Sequence, residues 1–257
     1  MAHDSFSFSP LGRRAFLELA LGGMALGTLA ASPLAALAQA AGDGAAGLKI
    51  GTIGAGREGG ALGTLFAKHG HPLMFSSRNP DQLKDLVASA GANAQAGTVE
   101  QAVAFGDVVF LVVPYTAVEP IGKQHGKALA EKRLVLDVSN PIARRDGEEI
   151  VKWANDQGGA GLATQKLLPG AHLVRAFNAI GSGRLAEDSE RKGDPVGIPI
   201  AGDDKAAVEL AASLIKEVGF EPVLVGGLAM GKYLTVGTPL AGEHSPAEIR
   251  QIAQTLK

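Results

Sequence analysis

The chain of 257 residues is 46% hydrophobic and 19% charged, with a formal net charge of -2 at pH 7. That balance suits a globular protein with a sizeable core and gives no electrostatic footprint for nucleic acid. It has no cysteine, which excludes disulfides, thiolate metal sites and thiol nucleophiles, so any redox chemistry must be borrowed from a bound cofactor.

Residues 1–40 read as a twin-arginine signal peptide: a polar start, the run Gly12-Arg13-Arg14-Ala15-Phe16-Leu17, an apolar stretch to Leu37, and Ala38-Gln39-Ala40 as a small-x-small cleavage site. The run departs from the usual twin-arginine pattern at Gly12 and Glu18. The expectation is export to the periplasm, folded and already loaded with cofactor. The alternative is a membrane anchor, because residues 17–37 are about long enough to span a bilayer if uncleaved. A Gly/Ala linker follows over residues 41–47.

From residue 48 the pattern alternates strand and helix through 257, which predicts one α/β domain, Rossmann-like and doubly wound around a mainly parallel sheet. Strands are expected at residues 48–53, 73–75, 107–113, 133–139, 172–177, 196–201 and 222–225. Helices are expected at residues 57–69, 148–157 and 205–218, with another after Pro246 capped by Ser245. Asn79-Pro80 predicts an N-capped helix to about residue 90, and Thr98 with Gln101 a capping box.

Gly54-Ala55-Gly56-Arg57-Glu58-Gly59 is a G-x-G-x-x-G that follows a strand, opens a helix and leads to a second strand. In that context it predicts a dinucleotide pyrophosphate at the helix N-terminus: Gly54 for the tight turn, Gly56 for close backbone approach, Gly59 for helix-on-strand packing. After the second strand the chain reads Ser76-Ser77-Arg78-Asn79, where an NAD enzyme places a carboxylate for the ribose 2′-hydroxyl. Ser77 can donate a hydrogen bond and Arg78 a planar guanidinium, which suit a 2′-phosphate and favour NADP over NAD.

These residues, with Asn79-Pro80, the run Asp107-Val108-Val109-Phe110-Leu111-Val112-Val113-Pro114, Asn140-Pro141 and Ala176-Phe177-Asn178, carry a resemblance. Together they resemble the NADP oxidoreductases related to coenzyme F420-dependent NADP reductase. The resemblance implies that Val113-Pro114-Tyr115 passes the cofactor's ribose and nicotinamide, that Ala176-Phe177 lies near the nicotinamide ring, and that the hydride partner is a flavin, a deazaflavin or a small organic acceptor. Tyr115 reads either as a ring that stacks on the cofactor or as packing at a helix start. Asn140 reads either as a hydrogen-bond donor to nicotinamide or substrate or as part of a capped turn before Pro141.

No catalytic acid/base pair is evident, and ring-to-ring hydride transfer does not require one. His69, His71, His125 and His172 read as solvated or structural and show no metal-ligand spacing. Arg144-Arg145 reads as an exposed loop face, with binding of an acidic acceptor as the alternative. The expected function is hydride transfer between NADP(H) and such an acceptor, with a non-catalytic NADP-binding protein as the alternative and the oligomeric state left open.

Overall fold

The computed structural model describes residue 45 and residues 47–256. The signal peptide expected over residues 1–40, and the linker apart from Ala45 and Gly47, lie outside the described residues. Eight strands form one sheet in the order β3-β2-β1-β4-β5-β6-β7-β8.

The first half alternates strand and helix: β1 (Ile50–Ile53), α1 (Arg57–Lys68), β2 (Leu73–Ser76), a 3-10 turn (Pro80–Leu83), α2 (Lys84–Ala90), β3 (Ala94–Gly97), α3 (Val99–Phe105) and β4 (Val108–Leu111). A 3-10 turn (Tyr115–Ala117), α4 (Val118–Ala130) and β5 (Leu134–Asp137) lead to α5 (Ala143–Asp146), α6 (Glu148–Asp156), α7 (Ala160–Leu167) and β6 (Leu173–Arg175). The remainder is α8 (Ser182–Ser189), β7 (Gly197–Gly202), α9 (Lys205–Glu217), β8 (Glu221–Gly226), a 3-10 segment (Leu228–Leu234) and α10 (Pro246–Thr255). All neighbouring strands pair in parallel except β6 with β7, as the mainly parallel expectation requires.

The central strands are buried on both faces because successive side chains point to opposite sides of the sheet. Val108 and Phe110 enter one core with Leu62 and Phe66 of α1 and Leu214 of α9. Val109 and Leu111 enter the other with Val118 and Leu129 of α4 and Ala163 of α7. A smaller cluster joins Val223 of β8 to Leu234 and to Ile249 of α10. At α3 the Thr98 hydroxyl accepts from the Gln101 N–H at 3.2 Å while the Gln101 side chain accepts from the Thr98 N–H at 2.8 Å. The same reciprocal box holds Ser245 and Glu248 at α10.

Several elements differ from the sequence reading. β3 was not expected: its Ala-Gln-Ala-Gly lacks an apolar run, and as the edge strand beside β2 it takes its backbone partners from one side only. α7 and α8 are short and poorly capped, with glycines at their N-caps, so they carry little local signal. Asn79 does not cap a long helix. The segment after it begins as a 3-10 turn without a side-chain cap, and the Asn79 N–H instead donates to Ser77 Oγ at 3.1 Å.

Candidate functional site: a nucleotide groove across the strand ends

The loop from β1 to α1 is built by close contacts that only glycine permits. Gly54 has φ of +99°, and a Cβ there would lie 2.2 Å from the Val112 carbonyl oxygen. A Cβ on Gly59 would lie 2.0 Å from the Gly54 carbonyl oxygen. Helix α1 therefore sits tight on the turn it leaves. Gly56 is the N-cap of α1 and supplies no side-chain cap, and a Cβ added to it would meet nothing within 4 Å. The first-turn N–H groups of α1 thus open onto unfilled space, which is the arrangement a pyrophosphate needs.

That space is a groove of about 940 Å³ along the carboxyl ends of β2, β1 and β4. It brings together Gly54, Ala55 and Gly56 from the glycine loop, Ser77 and Arg78 from the end of β2, and Val113 and Pro114 from the end of β4. Residues remote in sequence meet here because an open parallel sheet delivers all its strand-to-helix turns to one edge. Arg78 is exposed at the groove's rim. Because the Ser77 oxygen already accepts from the Asn79 N–H, its own O–H is left to donate outward. Asn79 itself does not line the groove; its part is to fix that hydroxyl.

Several groove residues were missed in the sequence, Ser76, Glu100, Gln124 and His125 among them. Ser76 ends β2 in register with Ile53, and its buried hydroxyl has no hydrogen-bond partner within the protein. It occupies the strand-end position from which an acidic residue would reach a ribose, and that position was the available signal. Glu100 at the start of α3, with Gln124 and His125 on α4, line the same groove. His125, read as solvated or structural, lies at the groove because α4 packs against the sheet beside it.

Arg57 and Glu58 of the glycine motif face away from it. Arg57 lines a separate cleft of about 340 Å³ behind α1, beside Lys68 and His69. Glu58 reaches α8, where its Oε2 accepts the Ser182 N–H at 3.0 Å. Burial raises the Glu58 carboxyl above the ordinary carboxylate range, against the lowering effect of the Ser182 hydrogen bonds. It ties two helices together rather than touching phosphate.

Beyond β4, β5 and β6 the structure bears on readings that the sequence left open, and for Tyr115 it favours packing over stacking. Tyr115 is 2% exposed, packed in the core with its hydroxyl 3.2 Å from Thr164 Oγ1 and 3.3 Å from the Ala160 carbonyl. Burial pushes its phenol up to about 12, and the ring is closed to stacking on a cofactor. Ala176 is wholly buried, and Phe177, at φ of 59°, packs edge-to-face on Phe220 with centroids 5.8 Å apart, so both side chains belong to the core. Asn140 has its amide committed at both ends: Nδ2 donates to the Asn178 carbonyl at 2.8 Å and Oδ1 accepts from Arg175 at 2.9 Å.

Arg175 organises this region and was read only as part of a strand. It is fully buried, and its Nη1 donates to Asp137 Oδ2 at 2.6 Å and to the Ser139 carbonyl at 3.0 Å. Asp137 also accepts the Ser139 N–H at 2.9 Å. The network clamps the loop after β5, next to the end of β4. Arg145, expected on an exposed face, adds to the clamp by donating to the Asn140 carbonyl at 2.6 Å and pairing with Asp146.

Two further histidines are structural: His71 is fully buried, with Nδ1 3.0 Å from the Leu48 carbonyl, and His172 pairs with Asp204. Among the described residues no group of three or more His, Cys, Asp or Glu is placed to hold a metal ion.

Comparison with known proteins agrees with the groove. Residues 49–141 match the family described as NADP oxidoreductase, coenzyme F420-dependent. The chain is similar to the crystal structure of a hypothetical protein from Sinorhizobium meliloti, with 29% identity and a TM-score of 0.66, over 77% of this chain and 95% of that one. A protein from Arthrobacter sp. FB24, described as an F420-dependent NADP-reductase, shares its fold at 19% identity and a TM-score of 0.63, over 72% of this chain and 88% of that one. An imine reductase variant from Myxococcus stipitatus, solved with NAD+, shares the fold at 17% identity and a TM-score of 0.51, over 81% of this chain and 60% of that one. The likeness to the coenzyme F420-dependent NADP oxidoreductase family is thus carried by residues 49–141, the segment that builds the groove.

Proposed function

We propose that the protein is an NADP(H)-dependent oxidoreductase that passes hydride between NADP and a flavin-like, deazaflavin or small organic acceptor. One observation carries this reading: a single groove holds the glycine loop, the Ser76-Ser77-Arg78 end of β2 and the Val113-Pro114 end of β4, the three parts that a phosphorylated dinucleotide needs in that order. The nicotinamide coenzyme supplies the hydride chemistry. The protein's own residues bind and orient. Backbone N–H groups at the start of α1 receive the pyrophosphate, Ser77 and Arg78 the 2′-phosphate, and the Arg175 network holds the loop after β5 rigid where the reacting end must lie.

The test is titration of the purified protein with NADPH and NADH, beside Arg78→Glu, followed by an acceptor screen with flavins, a deazaflavin and small carbonyl compounds. Tighter binding of NADPH than NADH, lost in the variant, with NADPH oxidation by one acceptor, supports the reading. Nucleotide retention without turnover by any acceptor favours a non-catalytic NADP-binding protein. No binding of either nucleotide overturns both.

The reading includes export to the periplasm by the twin-arginine route, supported by Arg13-Arg14, the apolar stretch and Ala38-Gln39-Ala40, and compatible with the absence of cysteine. Cell fractionation with N-terminal sequencing of the recovered protein tests it. A mature chain beginning near Ala41 in the periplasm agrees; an intact leader in the membrane fraction indicates an anchor instead, and an intact leader in the cytoplasm removes export.

A further inference from the structure

The nucleotide groove has a direction. It begins at Ser76-Arg78 beyond β2, crosses the glycine loop beyond β1 and reaches Val113-Pro114 beyond β4. The next strand in the sheet is β5, and the turns after β4 and β5 lie side by side, joined by the Val138 N–H donating to the Leu111 carbonyl at 3.0 Å. Beyond β5 a second cavity opens, of about 380 Å³, walled by Asn140, Ile142, Val151, Asn155, Lys232 and Val236 among others. It therefore follows the groove on the side away from Arg78.

The cavity's chemistry is one-sided. Lys232 is the one ionisable side chain among the residues that line it, and Lys232 forms no ion pair with a carboxylate among the described residues. The root of that lysine is seated against Gly159, where a Cβ would lie 2.4 Å from Lys232 Cβ, and its ammonium lies 4.8 Å from the Tyr233 ring centroid. Ile142, Val151 and Val236 give an apolar wall, and the Asn155 amide a neutral polar group. A volume near the small end of the roughly 300–1,000 Å³ usual for ligand pockets fits a compact molecule better than a whole deazaflavin coenzyme.

We infer that this cavity binds the acceptor, a small organic carboxylate, with Lys232 holding its charge and the apolar wall its short chain. The inference rests on the oxidoreductase reading above for the word acceptor, and on the cavity and its lone cation for the word carboxylate. An ammonium–carboxylate hydrogen bond is charge-assisted and contributes more than a neutral one.

The experiment is calorimetric titration of short-chain 2-oxo acids, each beside its uncharged amide, into the protein with and without NADP+, using wild type, Lys232→Gln and Lys232→Arg. Lys232 is exposed, so the variants are expected to keep the wild-type melting temperature and NADP+ affinity. The acids should bind wild type more tightly than their amides. Lys232→Gln should weaken the acids by roughly 10- to 100-fold and leave the amides unchanged, with Lys232→Arg retaining acid binding. Acids that bind no better than amides, or equally well to Lys232→Gln, overturn the inference even where NADP+ binds normally. Failure of wild type to bind NADP+ while acid binding still depends on Lys232 removes the oxidoreductase reading and leaves the anion site standing.

Discussion

Arg175 and Asp137 face each other in register across β6 and β5, both wholly buried, with Nη1 and Oδ2 2.6 Å apart. The pair joins two strands and, through Ser139 and Asn140, the loop at the far end of the nucleotide groove. Removing one member strands the other charge in the core, which typically costs about 3–5 kcal/mol, whereas replacing both with apolar residues of similar volume costs much less. Arg175→Met alone should therefore lower unfolding stability by about that amount, and Arg175→Met with Asp137→Leu should recover part of it. Urea denaturation of the two single variants and the double variant measures this; strictly additive losses would show that the two residues act separately.

The two outer glycines of the loop and the middle one should separate stability from binding. Gly59→Ala drives a methyl to 2.0 Å from the Gly54 carbonyl, so overpacking should cost about 1–3 kcal/mol and loosen the loop. Gly56→Ala meets nothing within 4 Å and should fold normally, yet its methyl enters the space a pyrophosphate must fill. Thermal melts paired with NADPH titration should show an unchanged Tm and an affinity lowered by about tenfold or more for Gly56→Ala. An unaltered affinity would place the phosphates elsewhere.

Glu58 offers a pH dependence with a definite sign. Its folded carboxyl titrates above the ordinary 4.5 because burial outweighs the hydrogen bonds from Ser182. In the window between the unfolded and the raised folded value, the native state holds more protons than the unfolded chain, so its contribution to stability is lost as pH rises. Glu58→Gln keeps an acceptor for the Ser182 N–H and removes the charge. Its stability relative to wild type should therefore grow as pH is raised from 4.5 toward neutrality, as denaturant titrations at a series of pH values would reveal; a constant difference would mean Glu58 is not the titrating group.

Tyr115 should report the integrity of the core under α7. Its phenol is pushed up to about 12 by burial, so in native protein it should stay protonated where an exposed tyrosine already ionises near 10. Ionisation between those values opposes folding, and stability should fall as pH rises through that window. Spectrophotometric titration of wild type against Tyr115→Phe isolates the band. The same substitution removes the bonds to Thr164 and Ala160 and should lower stability by about 1 kcal/mol.

The glycine loop, the Ser77-Arg78 pair, the cysteine-free character and most central strands were legible because each rests on local chemistry: a turn that only glycine permits, a charge at a strand end, an apolar run long enough for burial on both faces. The alternation of strand and helix was enough for the doubly wound class. By contrast, β3 is visible only as a partner of β2, since Ala94–Gly97 has no pattern of its own. Tyr115, Asn140 and Ala176 sit at the expected strand ends, but side-chain direction sends the tyrosine and alanine into cores and the Asn140 amide into a closed hydrogen-bond network.

Sequence alone thus determined the fold class, the pyrophosphate turn and the likeness to NADP-binding proteins, all of which depend on residues close together along the chain. Only the tertiary structure decided that Arg175 is buried under the loop after β5, that His125 and Ser76 line the groove, and that Lys232 stands with Asn140 in one cavity. Those relationships join residues tens of positions apart, and their physical cause is the parallel sheet, which carries distant turns to a common edge and leaves packing on its two faces to choose which side chains look out.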